Sequence, residues 1–300
     1  IEPFRAASAN PPANTWQFFR WALQGAWRGI LWATFWSACA GSLEAISATI
    51  LGDVIDAANT ANPATVFTDH FWLFALFISF YLVARPLIFG LNTHATSIIV
   101  EPNLFPLILS RMHRWTLGQA VTFFDNDFAG RIAQKQMQVA RAATDVATGT
   151  IETIAFALAS VAGSVALLVA IDARISALLV LWIAAYILFI RGFLRNVRGA
   201  SGARAAARAM VTGQIVDTVT NMKTVKLFSH SKYEDRVALE AMESFREKAI
   251  EYGVISSWFR LSLMALAGVL PVLLVGATVW LWSKGGASSG DIAAAGAISF

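Results

Sequence analysis

Two ionisable side chains stand inside long apolar runs, and they are the first place to look for chemistry. Glu44 interrupts the run from Ile30 to Leu51, and Arg85 interrupts the run from Phe71 to Leu91. Charge within such a helix is expensive to bury, so each residue must either line a polar cavity that meets cargo or pair with an opposite charge between helices. Counted from the outer ends of their runs, Glu44 lies about two turns deep and Arg85 roughly 21 Å deep, about 10 Å apart, so a direct bridge requires tilt. Asn92, His94 and Glu152 lie near the inner ends of their runs. They are candidates for the wall of an inward-facing chamber, with ordinary interfacial solvation as the alternative. Trp32, Phe35, Trp36, Trp182 and Tyr186 read as packing or lipid contacts rather than a stacking site.

Other chemistries find no support. His70, His94, His113 and His230 are scattered without metal-ligand spacing. Cys39 is the single cysteine and sits in an apolar run, as a small buried hydrophobe does. No signature marks a positioned Ser or Cys nucleophile with its base. The sequence contains no G-x-x-x-x-G-K-[ST] loop to cradle a nucleotide phosphate. This chain is therefore expected to carry no catalytic residue and no cofactor of its own.

The elements that position these residues follow from composition. The 300 residues are 57% hydrophobic and 14% charged, with mean hydropathy +0.58, against about 25% charged residues in a soluble domain. That points to an all-α polytopic membrane protein in contact with the lipid bilayer. A span needs about 20 apolar residues. The runs are 30–51, 71–91, 150–171, 175–190 and 261–283, with a sixth that begins at Ile292 and is incomplete at Phe300. Lys and Arg collect on the cytoplasmic side. With the N-terminus inside, all of the 23 basic residues except Arg85, Arg174 and Lys284 fall there. The basic balance follows from that topology and needs no nucleic-acid partner. Residues 1–13, with three prolines, read as an extended lead-in. Residues 14–29 place Gln17, Arg20, Gln24 and Arg28 opposite Trp16, Phe19, Leu23 and Trp27, an amphipathic helix suited to the inner leaflet.

The two long inside segments are not disordered in composition. Arg131, Gln134, Gln138, Arg141 and Asp145 recur at spacings of three and four, a helical stripe leading directly into the third span. The Ala-rich stretch from Arg198 to Met210 and the mixed charges of 233–251 also favour helix. Helices that leave the membrane in pairs make stalks.

Three short motifs fall at defined points on this plan: Phe123-Phe124-Asp125 with Gly130, the stretch from Asp217 to Phe228, and Gly290-Asp291 before the last span. In that order they resemble the transmembrane domain of type I ABC exporters over about residues 15–300. Departures from the usual pattern occur at Lys135, Val139 and Ser231. The resemblance implies a six-helix bundle with long cytoplasmic extensions, pairing with a second transmembrane domain as a homodimer or heterodimer. It also implies coupling to nucleotide-binding domains through Phe123, Phe124 and Asp125 at one tip and Val225, Lys226, Leu227 and Phe228 at the other. ATP and Mg2+ would be held by a nucleotide-binding domain that follows the sixth helix and is absent from this sequence. The expected location is a bacterial cytoplasmic membrane. An ion-coupled secondary transporter or channel using Glu44 and Arg85, and a non-transporting membrane scaffold, are the rival classes.

Overall fold

A computed structural model describes residues 1–125, 129–227 and 231–299, and all regular structure among them is helical. In chain order the helices are α1 (Thr15–Ala22), α2 (Trp27–Thr60), α3 (Phe71–Leu117), α4 (Val121–Asp125), α5 (Gly130–Ile171), α6 (Ala173–Thr220), α7 (Met222–Leu227), α8 (Ser231–Ser283) and α9 (Ser289–Ser299). Five of them, α2, α3, α5, α6 and α8, are long and apolar enough to cross a membrane. Their most apolar stretches are 39% buried in α2 but only 6–17% buried in the other four. Large hydrophobics such as Trp72, Leu82, Leu158, Leu188 and Val272 face outward. A protein that hides its apolar side chains from water could not leave so many outside, so their solvent is lipid or another subunit.

The chain divides into two compact units. The first comprises residues 1–176 and 277–300, and α2 is its centre. Asn14 starts α1 by accepting hydrogen bonds from the Trp16 and Gln17 backbone N–H groups. Gly25, at φ +86°, turns the chain between α1 and α2. Along α2, the small residues Ala33, Ser37, Gly41 and Ala45 recur every fourth position and are all buried. They form a stripe against α5, on which Ser37 Oγ donates to the Ile151 carbonyl at 2.7 Å. Gly41 backs onto the Phe156 carbonyl, and Ala45 meets Gly163. Small residues at a helix contact let backbones approach closely, which supplies the packing that lipid cannot.

Three stretches widen to π-helical hydrogen bonding: Phe80–Ala84, Ala95–Val100 and Thr150–Ala155. The first two lie just before Pro86 and Pro102, whose rings lack the N–H that an α-helical ladder requires. The third has no proline; it is the stretch whose Ile151 carbonyl is taken by Ser37.

The second unit, residues 177–276, is an antiparallel pair built from α6 and α8 with α7 at one end. Trp182 Nε1 donates to the Leu266 carbonyl at 3.1 Å, Phe189 and Phe193 stack on Phe259, and Arg204 lies over the Tyr252 ring at 4.9 Å. Near the α7 end, Thr218 Oγ1 donates to Glu234 at 3.1 Å. As the α6 number rises the α8 number falls by similar steps, so one register holds along the whole pair.

Candidate functional site

The polar heart of the first unit is the Glu44–Arg85 pair. Arg85 Nη2 donates to Glu44 Oε1 at 3.0 Å and to Oε2 at 3.4 Å. The Tyr81 and Phe89 rings flank the guanidinium at 5.8 Å each. One turn farther along α2, Ser47 and Tyr81 share a hydrogen bond at 2.5 Å. Apolar Leu43, Ile50, Phe77, Phe80 and Ile88 close around this group. Glu44 and Ser47 share a face of α2, as Tyr81 and Arg85 share one of α3, because residues three and four apart are neighbours on a helix.

The bridge is the interhelical ion pair that the sequence left open beside a cavity lining. Helix α2 continues nine residues past Leu51 to Thr60. Both side chains keep about a third of their surface exposed, 38% for Glu44 and 34% for Arg85, so the pair is accessible as well as cohesive.

The remaining polar candidates do not join it. Among the described residues, no hydrogen bond or ion pair links Asn92, His94 or Glu152 to the pair or to one another. Asn92 Oδ1 is buried without a partner, as is Trp36 Nε1. His94, at the start of the second π-helical stretch, and Glu152, within the third, are exposed.

The expected coupling residues lie at two helix ends. Phe123, Phe124 and Asp125 form most of the five-residue α4, where Phe123 packs edge-on against Trp115 and Phe124. Val225, Lys226 and Leu227 end α7, with Val225 buried and Leu227 80% exposed. Phe228 lies outside the described residues. Phe124 is 41% exposed. Phe124 and Leu227 thus each leave a large apolar side chain exposed.

Two contacts escaped sequence reasoning. At the end of α2, Asp56 Oδ1 accepts from the Gly290 N–H at 2.6 Å and from Ser289 Oγ at 3.0 Å. Ser288 and Asp291 cap α9 reciprocally, each backbone N–H donating to the other's side chain. Gly290 is needed because the Gly52 carbonyl and the Asp56 carboxylate fill the space a Cβ would occupy. The Gly290-Asp291 motif is thus the joint between α2 and α9. Burial opposes ionisation of Asp56, but hydrogen bonds from Ser288, Gly290 and Ser289 outweigh it and hold its pKa below the ordinary value. For Asp53, burial and then the charges of Asp56 and Asp291 push the pKa up. The second missed residue is Arg111 of α3, only 2% exposed and bound to backbone carbonyls of the N-terminal segment. A small residue every fourth position on α2, from Ala33 to Ala45, was the available signal for the α5 contact; a lone Arg on a basic stretch offered none.

Residues 30–299 match the family described as the ABC transporter transmembrane region. The chain belongs to this family. It is also similar to a Haemophilus influenzae protein named "Uncharacterized ABC transporter ATP-binding protein", at 28% identity over 266 residues. That match covers 86% of this chain and 42% of the relative, so the chain spans less than half the length of the curated protein it resembles. An ABC transmembrane region accounts for the three ordered motifs, which neither an ion-coupled carrier nor a scaffold explains. Its family and its long apolar helices make it an integral membrane protein.

Proposed function

We propose that this chain is the membrane-spanning part of an ATP-driven exporter, which moves substrate from the cytoplasm or inner leaflet outward by alternating access. Its N-terminus lies on the cytoplasmic side of a bacterial cytoplasmic membrane, and it works with a second transmembrane domain. ATP and Mg2+ bind on nucleotide-binding domains, whose closure and reopening push the α4 and α7 tips. The exposed apolar side chains Phe124 and Leu227 on those tips carry this reading. Phe123, Asp125, Val225, Lys226 and Phe228 complete the two coupling segments. Glu44, Arg85, Asn92, His94 and Glu152 face the route that substrate takes. Rigid bundles levered at their tips can turn nucleotide binding into a change of access.

The test uses the full-length protein in liposomes, with spin labels on Asn62→Cys at the outer loop and Gly202→Cys on the stalk. Mg-ATP with vanadate should change the label-to-label distance by several ångströms. Phe124→Asp and Leu227→Asp should retain ATP hydrolysis and lose that change. A distance change driven by a proton gradient without nucleotide, or left intact in both variants, would refute the proposal.

A further inference from the structure

Three guanidinium groups converge where the N-terminal segment crosses α3, and none of them has a carboxylate partner among the described residues. Arg111 spends its donors on backbone carbonyls: Nη1 on Trp21 at 2.8 Å and Ala22 at 2.9 Å, Nη2 on Gln24 at 2.7 Å, and Nε on Arg5 at 3.2 Å. Three of these carbonyls lie at the C-terminal end of α1, where the helix dipole is negative and orphan acceptors await a cation. Arg111 therefore clamps α1 onto α3. Arg114 Nη2 binds the Phe4 carbonyl at 2.8 Å, and the Arg5 side chain lies across Gly25, 3.3 Å from where a Cβ would sit.

The clamp satisfies hydrogen bonds but leaves the charge uncompensated. Burial, and then repulsion from Arg5 and Arg114, lowers the pKa of Arg111 from its usual value. Glu2 and Glu101 are the acidic residues between Ile1 and Arg20 and between Ala95 and Gly118, and neither pairs with these arginines. Beside Arg111 and Arg114 opens a polar cavity of about 440 Å³, lined by residues 6–10, Trp21, Trp115 and the two arginines. That volume suits a small ligand rather than a few waters. Arg111 is buried whereas Arg5 and Arg114 are exposed; arginine forks match phosphate oxygens in geometry and charge, and such a cluster gains most from an anion carrying more than one acceptor.

We propose that this cavity is a phosphate-binding site, occupied by the headgroup of an anionic phospholipid or by a soluble phosphate ester, which neutralises Arg5, Arg111 and Arg114 and locks α1 against α3. The neighbouring surface carries the exposed aromatics Phe4, Trp16 and Trp27 together with Arg20 and Arg28, a composition that draws anionic lipid to an amphipathic helix. The leaflet assignment rests on the orientation proposed above; the binding chemistry does not.

The full-length protein in neutral detergent tests the site by thermal unfolding at constant ionic strength. Short-chain phosphatidylglycerol should raise the midpoint saturably, short-chain phosphatidylcholine should not, and Arg5→Gln/Arg114→Gln should weaken apparent binding at least ten-fold, which corresponds to about 1.4 kcal/mol. Arg111 stays intact because its loss would free α1. A saturable shift with inorganic phosphate alone, abolished in the double variant, assigns the site to a soluble phosphate ester. No shift with either anion, or an equal shift in the double variant, overturns the proposal. Labelling of Ser8→Cys in a Cys39→Ala background by an impermeant maleimide on intact cells reports the side of the membrane separately. Labelling from outside would refute the orientation and leave the binding result standing.

Discussion

If Glu44 and Arg85 hold α2 to α3, exchanging their charges should preserve the protein, whereas neutralising either one should not. At 3.0 Å, and with an effective dielectric constant of about 20, the attraction is roughly 5–6 kcal/mol before desolvation. Each side chain is about a third exposed. Screening and desolvation therefore reduce the net coupling to about 1–3 kcal/mol. Glu44→Gln leaves an unpaired guanidinium within an apolar bundle, and Arg85→Gln leaves an unpaired carboxylate, each costing about 2.5–3.5 kcal/mol on the scale of charges inserted in membrane helices. Equilibrium unfolding of the full-length protein in mixed micelles gives the cycle from both single variants and the double variant. The double variant should be more stable than the sum of the single losses by 1–3 kcal/mol, on the order of other close ion pairs. The swap Glu44→Arg/Arg85→Glu should recover most of the stability. Additivity within about 0.5 kcal/mol would show that the two groups do not act as a pair. A swap that restores stability but abolishes substrate-stimulated ATP turnover would place the pair on the substrate route as well.

Glycine replacements should reverse sign with location. Gly202→Ala, where no atom lies within 4 Å of the new Cβ, should stabilise by about 0.8–1.0 kcal/mol through helix propensity. Gly41→Ala drives a Cβ into the Phe156 carbonyl and to 3.2 Å from the Ala159 Cβ, so overpacking of about 1–3 kcal/mol opposes that gain; equal midpoints for the two variants in thermal unfolding would contradict the packing account. The joint between α2 and α9 makes stability depend on pH in two opposed ways. With its folded pKa below the usual 3.8, Asp56 contributes stability that is full above that value and lost as pH falls through the lower folded value. Asp56→Asn should therefore weaken the protein at pH 7 and flatten its acid unfolding. Asp53, with its folded pKa raised, contributes stability present below the unfolded value and lost as pH rises through the folded one. Asp53→Asn should raise the unfolding midpoint at pH 7, and a fall would refute the assignment.

Much of this molecule was legible in the order of its residues. Apolar runs of span length, the helical stripe from Arg131 to Asp145 and the three motifs are all local properties, because a helix brings together residues three and four apart regardless of what lies beside it. The family follows from such local patterns. What the sequence left open were the contacts between helices. Glu44 and Arg85 were visible as misplaced charges, but their meeting depends on where α2 ends relative to α3. Run lengths alone allowed the bridge only with tilt, because they do not fix how two helices are set against each other. Gly290 and Asp291 were visible as a motif, whereas its partner Asp56 sits 234 residues away. Arg111 was one basic residue among many until the fold placed the end of α1 over it. Sequence determines what each helix carries on each face; only tertiary structure decides the axial offset and rotation between helices. Those are fixed by close backbone contacts at Gly41, Gly52 and Gly290 that no single helix contains.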